Sequence, residues 1–470
     1  MDQFTATYTD QYQLAMAQVY FKKAAREKEA VFEYYFRKLP FGSGYAIFSG
    51  LEDLLKIISD LKFSQADLEF LKKQGFEDDF LEYLKDFKFR GKIYSVAEGD
   101  VVFPTRPILQ VEANIIEAQI IETLLLNLLN FQTLIATKAS RMRLVAGDAT
   151  LLDFGLRRAQ ATGGYFATRA AIVGGFDGTS NVIAASEFDI PVSGTMAHSF
   201  VQSYDDELTA FRDFAEGRPQ NCVLLVDTYN TLKSGIPNAI KVAKEMEERG
   251  LKLLAIRLDS GDLSYFAREG RKMLDKEGLD YVKIAASNQL DEFVIKSLLE
   301  QQAPIDIFGV GTNLVTGDPD GALDGVYKLV FSDGKPRIKI SESIVKVTLP
   351  HKKQVFRMKD AKGKCIGADA VAMFEEKHIE EMSHPYEPYK SMKVGKFIQE
   401  PLLKLVMENG KVLIEKRSLK EIAAYSSSRL AELPQEYKRF NNPHIYKIGV
   451  SERLKAERDQ LIKTFKDKLK

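Results

Sequence analysis

From about residue 148 onward, short apolar runs alternate with stretches in which apolar residues recur every three to four positions. The runs are ATLLDF (149–154), AAIV (170–173), IPV (190–192), CVLLV (222–226), LKLLAI (251–256), YVKIA (281–285) and IDIF (305–308). Unbroken apolar runs of this length predict strands covered on both faces. The intervening segments, such as IPNAIKVAKEMEERG and SYFAREGRKMLDKEG, predict helices that stop at a glycine. Strands joined by helices form a parallel sheet, and seven such units are enough to close, or nearly close, an α/β barrel over residues 148–340.

The chain before this region has a different texture. TDQYQLAMAQVYF predicts a helix, AVFEYYFRK a strand, and GKIYSVAEGDVVFPTRPILQVEA further strands, so residues 1–147 are expected to form an N-terminal α+β domain. Its last part, IIEAQIIETLLLNLLNFQTLIATKASRMRLVAG, is a long apolar helical tract leading into the barrel. Residues 341–470 are expected to form a C-terminal α+β segment, with strands in PRIKISESIVKVTLP, KKQVFRM and KVLIE, that completes the N-terminal domain and the dimer contact. The final basic run, SERLKAERDQLIKTFKDKLK, reads as a solvated helix face.

Composition narrows the chemistry. The 470 residues are 45% hydrophobic and 28% charged, enough for two or three domains with real cores. Lys plus Arg and Asp plus Glu both number 66, so no global field draws the chain to nucleic acid or to a membrane surface, and an anionic ligand must be held by a local constellation. Cys222 and Cys365 are the two cysteines, which makes a disulfide scaffold and a cysteine-rich zinc site poor fits; no protein-ligated zinc is expected. The N-terminal residues lack a basic segment followed by an apolar run, and no stretch reaches the roughly 18 apolar residues of a membrane span, so the expected location is the cytoplasm.

A barrel of this kind places its chemistry beyond the carboxyl ends of its strands. The polar words fall there: DFGLRR, GGFDGTS, SGTMAHS, DTYNT, RLDSGD, SNQ and GVGTN, in chain order, whereas helix-to-strand connections such as KEMEERGLKLL carry solubilising charge. Gly309, Gly311 and Thr312 suit either a phosphate approached by backbone amides or a tight turn. Arg257, Asp259, Ser260 and Gly261 in RLDSGD offer a cation and carboxylate for a sugar diol or phosphate-bound magnesium, and Ser260 or Asp262 also suits a helix N-cap. Asp227 and Asn288 are expected at the same mouth. Of five histidines, His198 alone lies in the barrel segment, beside Ser193, Gly194, Thr195 and Ser199. It is either a structural imidazole or a nitrogen able to accept a phosphoryl group from ATP.

The ordered words TDQYQLAM, FRKLPFGSGYAIFSGLE, EGDVVFPTRPIL, DFGLRRAQ, GFDGTSN, GTMAHSF, RLDSGD and GVGTN, spanning about residues 8 to 330, resemble the nicotinate phosphoribosyltransferase family. The resemblance implies a type II phosphoribosyltransferase fold: an N-terminal α/β domain on an irregular seven-stranded α/β barrel, in head-to-tail homodimers with shared sites. It implies nicotinate and phosphoribosyl pyrophosphate as substrates, with Mg2+ and ATP, and His198 as the residue phosphorylated by ATP. Phe154 and the partner's Tyr12 would sandwich the pyridine ring, while Arg157, and less directly Arg158, would reach the ring substituent or phosphates. Arg37, Arg257 and Asp259 would handle pyrophosphate, ribose hydroxyls and metal, with Gly309, Gly311 and Thr312 around the 5-phosphate. Nicotinamide-using relatives carry an aspartate in the loop written here GFDGTSN, where this chain has Ser180, so the acid is expected over the amide; Asp177 lies three positions earlier. The cysteine-rich knuckle of some relatives is missing. Alternatives are a nicotinamide or quinolinate phosphoribosyltransferase, or a non-catalytic protein that senses nicotinate or its nucleotide.

Overall fold

The computed structural model describes residues 4–23, 27–342, 347–387 and 389–468. The chain divides into two compact units, one holding Met1–Leu134, Ala322–Arg417 and Ala424–Lys470, the other Ile135–Gly321 and Ser418–Ala423. The division falls within the long helix Glu122–Ala146.

In the first unit, seven antiparallel strands run in the order Lys335–Pro336, Gly325–Ser332, Glu29–Phe36, Leu109–Asn114, Lys92–Ser95, Lys404–Glu408, Lys411–Val412. Strands from both ends of the sequence therefore share one sheet. Aromatic rings supply much of its buried face: Tyr34 and Phe36 are fully covered, and Phe32 stacks on Tyr327 with centroids 4.7 Å apart. A second sheet is built from Ser391–Lys393, Glu381–Ser383, Lys447–Ser451, Cys365–Met373, Lys353–Lys359 and Ile398–Pro401. Of the strand expected in PRIKISESIVKVTLP, Pro336 lies in the short strand Lys335–Pro336 and the Arg337 amide donates to Val330 O at 2.9 Å; residues 343–346 lie outside the described residues. KVLIE forms the short strand Lys411–Val412, and the Leu413 amide beyond it donates to Val406 O at 2.9 Å.

In the second unit, six parallel strands run in the order Gly178–Thr179, Thr150–Asp153, Ile307–Val310, Lys283–Ser287, Ala255–Leu258, Val223–Leu225. Parallel neighbours cannot be joined by tight turns, so helices such as Ile236–Glu248 and Leu263–Lys276 make the crossovers. Both are followed by a glycine at positive φ, Gly250 at 72° and Gly278 at 70°, where a side chain would strain the reversal. Leu151, Leu224, Ile256, Ile284 and Phe308 are wholly buried, the reason these strands read as unbroken apolar runs. A buried ion cluster ties the crossovers down: Glu292 accepts from Lys138 Nζ at 2.6 Å and Arg141 Nε at 2.8 Å.

Two expectations for this unit need revision. AAIV (170–173) is not a strand; it is the last turn of the helix Thr162–Val173, with all four residues buried. A short apolar run fits a wholly covered helix turn as well as a strand, and periodicity does not separate them. The strand stands instead at Gly178–Thr179, inside the stretch expected to be a loop, paired with Leu152 and Asp153. Of the run 190–192, Val192 alone meets the sheet, by one parallel bridge to Thr179. Six strands and one bridge thus stand where seven strands were expected.

Candidate active site

The parallel register brings the strand ends onto one rim: Asp153 lies beside Val310, Gly309 beside Ser287, and Arg257 beside Leu225 and Ala285. Past the end of its strand, the Phe154 amide still donates to Val310 O at 2.8 Å. The ring rests against Gly309, where a Cβ would come within 2.4 Å of two ring carbons. The GVGT turn therefore acts first as a backing surface that only glycine leaves flat enough for an aromatic ring. Behind the ring, Asp153 is buried and accepts from Gly155 N at 2.8 Å, Thr168 Oγ1 at 2.6 Å and Thr179 Oγ1 at 2.8 Å. Burial raises the Asp153 pKa, opposed by those hydrogen bonds.

Arg257 stands over Phe154 with its guanidinium carbon 5.6 Å from the ring centroid. Each arm of the fork is held: Nε donates to Ser287 Oγ at 2.9 Å, Nη1 to Thr195 Oγ1 at 2.8 Å and Nη2 to Asp259 Oδ1 at 2.8 Å. Ser287 in turn donates to Asp259 Oδ1. Burial acts to raise the Asp259 pKa, but the hydrogen bonds from Ser287 and Arg257 and the charges of Arg257 and His198 outweigh it, so the carboxyl lies below its ordinary value.

Asp227 closes the set. Its Oδ2 accepts from Asp259 N at 2.9 Å and Ser260 Oγ at 2.5 Å, while its Oδ1 is buried without a hydrogen-bond partner. His198, the first residue of the short helix His198–Gln202, points Nε2 at this pair, 3.9 Å from Asp227 Oδ1 and 3.8 Å from Asp259 Oδ2. Both readings of RLDSGD are realised: Ser260 turns to Asp227, and Asp262 caps the helix Leu263–Lys276 by accepting from Tyr265 N at 2.9 Å.

A cavity of about 360 Å³ opens in front of these groups, lined by Phe154, Thr195, His198, Arg257 and Asp259. Arg157 and Ser180 also border it. The Ser180 amide and hydroxyl both donate to Asp153 O, at 2.8 and 3.2 Å. Asp177, the neighbouring carboxylate in this loop, is tied to Arg143 at 2.5 Å and to Leu151 N at 2.8 Å. Asn288 is exposed at φ 86°, and the following carbonyls of Gln289 and Leu290 accept from Asn313 Nδ2. Gly311 lies behind Phe154, where a Cβ would be 3.3 Å from its carbonyl oxygen, and Thr312 starts the turn Thr312–Val315. Tyr12 and Arg37 belong to the other unit: Tyr12 is exposed on the helix Gln11–Lys22, and Arg37 follows the strand Glu29–Phe36 with a buried Nε that has no hydrogen-bond partner.

Sequence reading passed over Asp153, Ser287 and Thr228. Each is adjacent to a residue it did name, and strand alternation beyond Asn288 and Phe154 was the available signal. A divalent cation fits the donor set in part: Asp227 Oδ1 is an unpartnered buried oxygen and Asp259 is anionic beside it. Among the described residues no group of three or more His, Cys, Asp or Glu is arranged to hold a metal, so a hard cation held here would need its remaining ligands from phosphate and water.

The nicotinate phosphoribosyltransferase (NAPRTase) N-terminal domain matches residues 7–130, the NAPRTase family matches 149–362, and the nicotinate phosphoribosyltransferase C-terminal domain matches 352–457. The chain belongs to the nicotinate phosphoribosyltransferase family. A nicotinate phosphoribosyltransferase of Bacillus subtilis (strain 168) is 44% identical over 478 residues, covering 100% of this chain and 97% of that protein. One from Dictyostelium discoideum is 37% identical over 511 residues, covering 96% and 87%. The crystal structure of human nicotinic acid phosphoribosyltransferase superposes with a TM-score of 0.86 at 31% identity, covering 96% of this chain and 99% of that one. The family match runs through the segment that carries Phe154, His198, Arg257 and Asp259. Among the described residues, no helix is long and apolar enough to cross a membrane.

Proposed function

We propose that this chain transfers the 5-phosphoribosyl group of phosphoribosyl pyrophosphate to nicotinate, giving nicotinate mononucleotide and pyrophosphate, the first step of NAD biosynthesis from nicotinate. ATP hydrolysis is coupled through phosphorylation of His198. The observation that carries this reading is the convergence of His198, Asp259 and Arg257 on a cavity that the Phe154 ring also lines, with the buried Asp227 3.9 Å from His198 Nε2.

Phe154 offers one flat face to the pyridine, and Tyr12 from a partner subunit supplies the other in a homodimer with shared sites. Selection for the acid rests on charge. Ser180 commits its hydroxyl proton to Asp153 O and brings no negative charge, while Arg157 at the cavity edge supplies the cation that a carboxylate needs. As pyrophosphate departs, the anomeric carbon gains positive charge and the ring nitrogen attacks it, so the protein mainly orients the reactants and stabilises the leaving charge. Arg257, pinned at three nitrogens, meets that charge without reorganising, and Arg37 serves the same end. Asp227 Oδ1 and Asp259 would hold Mg2+, which neutralises pyrophosphate charge when bound. Gly309, Gly311 and Thr312 border the 5-phosphate, and the Val192 segment completes a seven-stranded irregular barrel. The enzyme works in the cytoplasm.

Rates with nicotinate, nicotinamide and quinolinate, each with and without ATP, test the proposal. It predicts turnover of nicotinate with stimulation by ATP, and nicotinamide or quinolinate used in preference would overturn it.

A further inference from the structure

Two neighbouring strand ends of the parallel sheet are tied together by one side-chain amide. The strand Lys283–Ser287 leaves the sheet through Asn288 and Gln289, and the adjacent strand Ile307–Val310 leaves it through Gly311 and Thr312. Asn288 and Gln289 stand at φ 86° and 47°. Two consecutive residues with side chains in the left-handed region are strained, and such a backbone persists only where surrounding contacts impose it. The far side of the loop is anchored: Leu290 is buried, and Asp291 caps the helix Glu292–Glu300 by accepting from Phe293 N at 2.9 Å and Val294 N at 2.7 Å. The near side is held by Asn313, whose Nδ2 donates to Gln289 O at 3.3 Å and to Leu290 O at 3.1 Å. A carbonyl oxygen only accepts, so the atom facing this pair is the amide nitrogen, and both of its protons are used.

We propose that Asn313 is a positioning residue for the sugar-phosphate substrate: it latches the Asn288 loop to the GVGT turn and so fixes the separation between that turn and Asn288, whose amide can both donate to and accept from sugar hydroxyls. This rests on the reading given above, in which the GVGT turn borders the 5-phosphate and Asn288 stands at the same mouth. Without the latch the strained loop relaxes towards negative φ, and only a fraction of molecules keeps the competent arrangement. The apparent affinity for the sugar phosphate falls by that fraction, while the steps after binding, once the substrate has drawn the loop back, proceed as before. An aspartate at position 313 has the shape of asparagine but, ionised, no proton to donate, and it sets negative oxygens against two carbonyl oxygens.

The test is steady-state kinetics of the full-length protein at fixed ATP, with phosphoribosyl pyrophosphate and nicotinate each varied. Asn313→Asp should raise KM for phosphoribosyl pyrophosphate about tenfold, the scale of the neutral hydrogen bonds lost, with kcat and the KM for nicotinate within about twofold of the parent. Asn313→Ala removes the donors without opposing oxygens and should raise the same KM roughly three- to fivefold. Gln289→Gly holds φ 47° without strain, and in the Asn313→Asp background it should return that KM to within about threefold of the parent. Asn288→Gly removes the side chain that the latch serves, so adding Asn313→Asp to it should cost less than about twofold more. An unchanged KM for phosphoribosyl pyrophosphate in Asn313→Asp, a loss confined to kcat, or full additivity with Asn288→Gly would each overturn the proposal. A parent that shows no saturation with phosphoribosyl pyrophosphate removes the sugar-phosphate reading instead. Chymotryptic cleavage after Leu290, faster in Asn313→Asp than in the parent if the latch holds and equal if it does not, then decides the latch alone.

Discussion

Replacing Gly309 by alanine is a sharp test of the aromatic seat. The added methyl carbon would lie 2.4 Å from Cδ2 and Cε2 of Phe154, more than about 1 Å short of the ~3.5–4.0 Å at which carbon atoms pack. The neighbour is a ring whose own amide is fixed to Val310 O, so the methyl cannot be absorbed by a flexible chain end; the ring must swing into the cavity or the strand end must shift. Overpacking of this kind costs about 1–3 kcal/mol of stability. A displacement of about 1 Å at a substrate-orienting group costs on the order of 100-fold in rate. Gly309→Ala should therefore lower kcat/KM for nicotinate roughly 30- to 100-fold, more than the stability loss alone would suggest. The assay is steady-state kinetics with nicotinate beside thermal unfolding, repeated in a Phe154→Leu background. Leucine removes the ring that the methyl strikes, so the two changes should be strongly non-additive, with Gly309→Ala costing less than about threefold once the ring is gone. Kinetics within twofold of the parent, or additive effects in the double variant, would show that Phe154 does not form the seat.

Three further outcomes follow from the same geometry. His198→Ala should abolish the coupling of ATP hydrolysis to product while leaving slow ATP-independent synthesis, read as moles of ADP per mole of nicotinate mononucleotide; an unchanged ratio refutes the role of His198. Ser180→Asp puts a carboxylate near a carboxylate: at ~5 Å and an effective dielectric of ~20 the repulsion is about 3 kcal/mol, reduced by solvent at this half-buried position to ~1–2 kcal/mol. The nicotinate-to-nicotinamide ratio of kcat/KM should then fall roughly 5- to 30-fold, and an unchanged ratio would place the ring substituent elsewhere. Glu292→Gln removes the carboxylate that pairs with the buried Lys138 and Arg141, and should cost about 3–5 kcal/mol at neutral pH. Burial acts to raise the Glu292 pKa, but the charges and hydrogen bonds of Lys138 and Arg141 outweigh it and hold it below the ordinary value of 4.5. A depressed carboxyl contributes stability that is present above the unfolded pKa and lost as pH falls through the folded one. Urea unfolding should accordingly show the gap between parent and Glu292→Gln narrowing below about pH 4.5, and a gap independent of pH would exclude the ionised pair.

Much of the second unit was legible along the chain because local sequence and burial agree there. Strands covered on both faces need no polar alternation, so CVLLV, LKLLAI and IDIF announce themselves, and the helices between them stop where a glycine permits the reversal. The helix at AAIV was not legible, since four buried apolar residues satisfy either backbone once neighbours on every side supply the burial. Likewise Gly178–Thr179 pairs as a strand only because Leu152 and Asp153 lie beside it.

The candidate site divides in the same way. The sequence by itself determined which residue types gather at the strand ends, His198 in one word and Arg257 with Asp259 in another, because each depends only on adjacency to an apolar run. What the tertiary structure alone decided is who touches whom: that Ser287 couples Arg257 to Asp259, that Asp227 keeps one buried oxygen unpartnered, that Thr228 meets Nδ1, and that Gly309 serves the Phe154 ring. Those partners lie 28 to 155 positions apart, and hydrogen bonds of about 3 Å are fixed by sheet register and crossover geometry, which no local pattern of hydrophobic and polar residues encodes.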